Sequence, residues 1–363
     1  MALTQLNIDH FRNLIAVKLE PIPTGFNFIY GHNGSGKTSL LEAIYYLSLG
    51  RSFRSPVLSR VIHTAADKFC IFAKVLATSD QLVSVGIERY LVGDNKIRIA
   101  GKHINSTAEL ADLTPVQLIN SYCYNLLDAG PAYRRKYLDW GSFYHNNTFF
   151  AAWRDFTQAL KQRNANLRQG QRSKQELESW TQALASKALK LDQLRKEYVN
   201  QLLPFLRETL LELISLPDLK IHYYPGWDDA QAYLDILTQM YDKDVQIGHT
   251  QAGPHRADLK ITINKIAAKD ILSRGQQKLF VCAMILAQGA LLQGCANKKP
   301  IYLIDDLPAE LDVMSRSKLI ALLSKQETQI FVTAVEREAL GSTFSMLPRK
   351  MFHVEHGNLT DVT

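Results

Sequence analysis

An α/β fold with an inserted helical domain is predicted by three observations. A β-prone run, Gly25 to Tyr30, leads through a glycine-rich turn at 31–36 into a helix-like stretch beginning near Ser39. An apolar run at 300–304 is followed by a helical segment around 315–325 and a further strand-like run at 329–334. Between these halves, from Tyr133 to about Glu212, the chain turns polar and helical.

Taken in order, residues 4–11 alternate apolar and polar positions, the period of a strand with one covered face. Residues 69–76, 82–90 and 96–104 read as short strands, the last two separated by Val92-Gly93-Asp94-Asn95, which predicts an antiparallel meander. The helical stretch is expected to break at Gln169-Gly170-Gln171 and again at Pro204, forming a hairpin. Leu177, Leu184, Leu191, Tyr198 and Phe205 keep a seven-residue spacing that suits one helix packing along another, over too few positions for a long coiled coil. Strands are expected again at 219–224 and 258–263, then a long helix from about 275 to 293. The expected division is an N-terminal part of a head at 1–120, a helical insertion at 121–214 and a C-terminal part at 215–363.

Composition narrows the class. With 46% hydrophobic and 21% charged residues, the 363-residue chain is neither disordered, collagen-like nor a disulfide scaffold. Forty-two Lys and Arg against 35 Asp and Glu leave a net charge of +7, an excess that suits a polyanionic partner without requiring one. Cys70, Cys123, Cys282 and Cys295 lie far apart, without zinc or redox spacing. A reducing cytoplasm is the expected setting, with no export signal and no membrane span.

The chemistry is concentrated in three motifs. Gly31, His32, Asn33, Gly34, Ser35, Gly36, Lys37 and Thr38 match G-x-x-x-x-G-K-[ST] between a strand and a helix. Glycines let the backbone turn so that N–H groups converge on a phosphate, the helix N-terminus adds partial positive charge, Lys37 adds a full one, and Thr38 offers its hydroxyl to Mg²⁺. The run Pro300 to Ile304 ends in Asp305 and Asp306, placing Asp305 as a magnesium ligand and Asp306 as the group that polarises an attacking water. Ser273-Arg274-Gly275-Gln276-Gln277-Lys278 begins a helix some 30 residues before Asp305, with a hydroxyl and backbone N–H groups suited to an anion. A phosphate loop, a Ser-x-Gly-Gln-Gln helix start and a strand ending Asp-Asp, in that order, define ABC-type ATPases that take ATP and Mg²⁺. Ala309 to Asp312 is similar to the D-loop of that superfamily, and Thr333 ends a strand where its switch residue stands.

The chain resembles the RecF family, the DNA repair and replication proteins of the SMC-like branch of ABC ATPases. The likeness runs nearly end to end, through Ile8 to Asn13, Gly31 to Thr38, Gly50 to Arg54, Gly130 to Asp139, Thr250 to Arg256, Leu272 to Lys278 and Asp305 to Asp312. It implies a P-loop ABC/SMC-type head of two lobes and an ATP-dependent homodimer. In that dimer Ser273, Gly275 and Gln276 of one chain would close over the nucleotide held by the other. It implies nucleotide contact by Arg12, binding of single-stranded or gapped DNA, a RecR-type mediator as partner, recombinase loading and SOS induction.

Asp306 stands where most ABC proteins carry Glu, one methylene shorter, so slow hydrolysis is expected, and the resemblance implies its stimulation by DNA. Gln117 is the candidate for the glutamine that reports on the γ-phosphate and metal. Lys161, Arg163, Arg168, Arg172 and Lys174, with no acid between 161 and 174, read either as a solvated helix face or as a surface for the DNA backbone. Arg134, Arg135 and Lys136 form a second basic cluster, with a structural or nucleotide-coupling role favoured for it. His249 and His255 have no Cys or His nearby at ligand spacing, which favours a structural or coupling role over a metal. The ATP-hydrolysing subunit of an ABC transporter shares all three motifs, but its insertion would be much shorter than the roughly 235 residues between Lys37 and Ser273.

Overall fold

Strands with one covered face and strands covered on both faces are interleaved along this chain. The computed structural model describes residues 1–78, 80–93, 95–169, 174–337 and 347–362, with the side chains of 169 and 174–177 set aside. In chain order the strands are β1 (Ala2–Phe11), β2 (Leu14–Leu19), β3 (Gly25–Tyr30), β4 (Lys68–Leu76), β5 (Leu82–Tyr90), β6 (Lys96–Ile99), β7 (Lys102–His103) and β8 (Val116–Ile119). They continue with β9 (Leu219–Tyr224), β10 (Asp258–Ile263), β11 (Ile266–Ala267), β12 (Ile301–Ile304), β13 (Gln329–Ala334), β14 (Arg349–Glu355) and β15 (Asn358–Asp361). Two compact units result, Met1–Cys123 with Lys278–Thr363, and Tyr124–Gln277.

Among the described residues the first unit holds two six-stranded sheets. One has the order β2-β1-β4-β5-β6-β7 and is antiparallel throughout; the expected meander is present as β4-β5-β6, with the strand expected at 96–104 turning back on itself as β6 and β7. Leu6, Ile8, Ile71, Val85 and Ile87 turn inward, while Asp9, Lys74 and Arg98 face water. The other sheet runs β15-β14-β3-β13-β12-β8 and is parallel except at β15. All six residues of β13 and all four of β12 are buried, as a parallel strand covered on both faces requires. The helix Lys37–Leu49 lies in the core beside both sheets, packing Leu40, Ile44 and Leu47 against Leu6, Ile8, Leu303 and Phe331.

In the second unit the helices Phe149–Gln169 and Lys174–Leu213 pack along each other. Leu184, Leu191 and Tyr198 of the seven-residue series are buried, as the spacing predicts, and Phe205 is half-buried. The expected break at Pro204 does not occur, because the helix runs through it to Leu213. Pro204 is exposed, whereas Leu202, Leu206 and Leu210 bury the opposite face, so packing offsets the missing backbone hydrogen bond.

The second unit also reaches further than the expected helical insertion. Residues 215–277 belong to it, since β9, β10 and β11 form a three-stranded sheet and Asp258 of β10 receives two hydrogen bonds from Arg134, at 2.6 and 3.1 Å. Among the described residues one helix, Arg274–Ala296, is long and apolar enough to cross a membrane, and 67% of its most apolar window is buried inside the protein. Its apolar character serves the interior.

Candidate nucleotide site

Phosphate-loop geometry begins where β3 ends. A Cβ at Gly31 would lie 2.2 Å from the carbonyl oxygen of Val354, so only glycine lets the chain pass β14 there. Gly34 takes a left-handed conformation with φ of 80° at the loop crest. Lys37 opens the helix and folds back, donating to the carbonyls of Gly31 at 2.7 Å and His32 at 3.0 Å. Burial lowers its pKa, against the pull of Asp306 and Asp305. Ser35 Oγ is buried within the loop and has no hydrogen-bond partner, a polar atom of the kind a phosphate would satisfy.

The carboxyl ends of β3, β13 and β12 converge on this loop, where ligands bind in parallel α/β sheets. Thr38 donates to both oxygens of Asp305, at 3.0 and 3.1 Å. Thr333, at the end of β13, donates to Asp305 at 2.9 Å and accepts from the backbone N–H of Asp306 at 2.8 Å. Burial raises the pKa of Asp305, with the Thr333 and Thr38 hydroxyls working against it and Asp306 adding to it. Asp306 is a non-glycine residue with φ of 51°, a strained conformation of the sort that concentrates at functional sites. Oxygen donors from Thr38 and Asp305 form the set a hard divalent cation takes, so the residues fit Mg²⁺.

A cavity of about 720 Å³ opens over these groups, within the range of small-molecule sites. Its rim carries Arg12, one of the expected residues, together with Asn13, Arg54 and His63, which were not expected there. Arg12 donates to both oxygens of Glu42, at 3.0 and 2.7 Å, and Arg54 lies 3.5 Å from the same carboxylate. Glu42 is fully buried, one turn beyond Lys37 on the same helix, and so fixes two arginines at the cavity.

The signature residues lie in the second unit. Ser273 Oγ accepts from the N–H of Gln276 at 3.3 Å, and Gln276 Oε1 accepts from the N–H of Ser273 at 3.0 Å, a reciprocal cap on the helix Arg274–Ala296. Ser273, Gly275 and Gln276 are exposed, and a Cβ at Gly275 would meet nothing within 4 Å. Asp312 of the D-loop-like segment caps the helix Val313–Lys325, and Glu310 pairs with Lys278 at 2.9 Å.

Residues 2–358 match the N-terminal domain of the RecF/RecN/SMC family. Over 361 residues and 99% of each chain, the protein is 42% identical to the DNA replication and repair protein RecF of Shewanella baltica strain OS185. The chain belongs to the RecF family. It is 41% identical over its whole length to the RecF of Shewanella sp. strain W3-18-1. Its fold superimposes on the recombination mediator protein RecF with ATP, of the RecFOR pathway, with a TM-score of 0.88 at 26% identity over 100% of this chain and 98% of that one. An SMC head bound to the C-terminal winged-helix domain of ScpA shares the fold, with a TM-score of 0.61 at 15% identity.

Two sequence candidates, Gln117 and Arg163, lie away from the places expected of them. Gln117 does not reach the cavity: it is buried in β8 and donates to Gln288 Oε1 at 3.0 Å. In register it stands opposite Tyr302, two residues before the strand end, so its alternation turns it away. Arg163 is fully buried and leaves the basic surface, pairing with Asp244 at 2.7 Å and donating to Thr250 and Thr181. Lys161 and Arg168 are exposed. Arg172 and the side chain of Lys174 lie outside the described residues. Arg134 and Arg135 are structural, bonding Asp258 and the Ala257 carbonyl. His255 Nε2 lies 2.9 Å from the Thr250 carbonyl, and among the described residues no group of three or more His, Cys, Asp and Glu side chains is placed to hold a metal ion. Sequence reasoning missed Glu42, whose signal was an acid placed among apolar residues on the phosphate-loop helix.

Proposed function

We propose that the chain binds ATP with Mg²⁺ and uses the nucleotide to close a homodimer on DNA during replication and recombinational repair. The observation that carries this is the Thr38–Asp305–Thr333 cluster facing Lys37 beneath the cavity. Lys37, the loop backbone, Arg12 and Arg54 supply positive charge for a triphosphate, and Thr38 with Asp305 would hold Mg²⁺, which screens phosphate charge. Asp306 is the candidate to orient the attacking water. Its short side chain supports slow hydrolysis, so that ATP works as a switch.

Ser273, Gly275 and Gln276 are exposed and uncrowded, which suits closure by the signature of one copy over the nucleotide of another. Two such contacts at a twofold axis would couple dimer stability to the γ-phosphate. The DNA role rests on the relatives, named as DNA replication and repair proteins and as a recombination mediator of the RecFOR pathway. Single-stranded or gapped DNA and a RecR-type mediator are the partners that follow, with recombinase loading and SOS induction as downstream roles.

Sedimentation with ATP and Mg²⁺, with and without a gapped duplex, tests the reading. A dimer that forms with ATP and travels with the duplex is expected. Ser273→Arg should keep nucleotide binding and lose the dimer. A variant that still dimerises would rule out closure in trans.

A further inference from the structure

The antiparallel sheet of the first unit covers its inner face with the core and leaves its outer face to solvent. Register pairing sets Lys18, Asn7, Phe72, Gly86 and Arg98 in one row across β2, β1, β4, β5 and β6. Phe72 is 37% exposed at the centre of that row, an aromatic ring on a face where alternation predicts polar residues. Its neighbour Gly86 leaves a gap, since a Cβ there would meet nothing within 4 Å. A groove of about 330 Å³ lies over Phe72, Gly86 and Arg98.

Basic residues outnumber carboxylates on this face, with Glu88 on the groove's lining set among Lys68, Lys96 and Arg98. Lys18, Lys68, Lys74, Lys96 and Arg98 all occupy outward strand positions. The opposing carboxylates at outward strand positions are Asp9 and Glu88, and Glu88 already accepts from the Tyr90 hydroxyl at 2.7 Å.

We infer that this sheet face binds single-stranded nucleic acid, with one unpaired base in the gap at Gly86, stacked on Phe72 and flanked by Arg98. Phe72 and Arg98 stand on strands two spacings apart, about 9.5 Å, which leaves room for one planar base between ring and guanidinium. The lysines track the phosphates on either side, and stacking without base-edge donors makes binding tolerant of sequence. A duplex keeps its bases paired and cannot use the gap, so the single strand is the occupant that matches aromatic, gap and charge together. The inference rests on the DNA reading above and relocates the contact from the helical pair to the sheet.

Fluorescence anisotropy of the full chain with ATP and Mg²⁺, using a labelled oligothymidylate and a blunt duplex, separates the outcomes. Phe72→Ala should weaken oligothymidylate binding about tenfold, a middling value for loss of one stacked base, and leave duplex binding unchanged. Phe72→Tyr should restore it. Arg98→Glu should weaken it as well. Both side chains are on the surface, and unchanged melting temperatures would confirm that the variants fold. Wild-type affinity for oligothymidylate in Phe72→Ala and Arg98→Glu overturns the inference alone. A wild-type chain that binds neither probe overturns the DNA reading and the inference with it.

Discussion

The Thr38 hydroxyl reaches both carboxylate oxygens of Asp305, at 3.0 and 3.1 Å, across 267 residues of sequence. The parallel sheet achieves this by setting the ends of β3 and β12 on either side of β13. Asp305 is thereby held in a buried place where its ionised form is disfavoured and its pKa is raised. The folded pKa exceeds the unfolded one, so the stability this group contributes is present at acid pH and lost as pH rises through the folded value. At neutral pH its charge is a cost that a bound cation would offset.

Asp305→Asn should therefore melt at a higher temperature than the parent without nucleotide, while losing the upward shift that Mg²⁺ and ATP give the parent. Thermal denaturation of both proteins, with and without Mg²⁺ and ATP, checks this. A variant that melts lower and still responds to the ligand contradicts it.

Glu42→Gln should reduce ATP affinity about tenfold, because the amide can no longer accept from Arg12 at both oxygens and attract Arg54 as well. Titration with a fluorescent ATP analogue measures the change. Glu42→Asp should recover part of it, since the charge returns.

The buried Arg163–Asp244 pair locks the helix Phe149–Gln169 to the segment around Thr250. Arg163→Ala should destabilise the protein by about 3–5 kcal/mol, leaving Asp244 charged and unpaired. Urea denaturation followed by circular dichroism reads the loss. Lys161→Ala, at an exposed position two residues away, should change stability by less than about 0.5 kcal/mol.

His255 is held neutral by burial, its pKa pushed down to about 4. Its folded value lies below the unfolded one, so the stability it contributes is present above about pH 6.5 and lost as pH falls toward 4. Facing groups are mixed, with Arg256 and Arg135 opposing protonation and Asp244 favouring it. The parent should lose on the order of 3 kcal/mol across that window, and His255→Gln should flatten the slope. Denaturation midpoints at a series of pH values decide the matter.

Contiguous signals were legible in the sequence. Eight consecutive residues specify the phosphate loop, because tight turning, backbone donors and a lysine at the helix start are local requirements. The strands β1, β4 and β5 of the antiparallel sheet were legible for the same reason, since a period of two reports which face is covered, whereas β2 was not read and the single strand expected at 96–104 divides into β6 and β7. Arg163 could have been read as well: it falls on the buried stripe with Phe156, Ala159 and Leu167, spaced by three and four residues.

Other features were settled only in three dimensions. Periodicity tells that a face is covered but not by what, so Gln117 turning to Gln288, Pro204 sitting on the exposed side of an unbroken helix, and residues 215–277 joining the helical unit all depended on distant partners. The sequence alone determined a phosphate-loop pattern at Gly31 to Thr38. The tertiary structure decided which carboxylate meets Thr38, which arginines Glu42 aims at the cavity, and that Phe72 faces water beside a gap, because each depends on strand order and register, which bring together residues far apart in the chain.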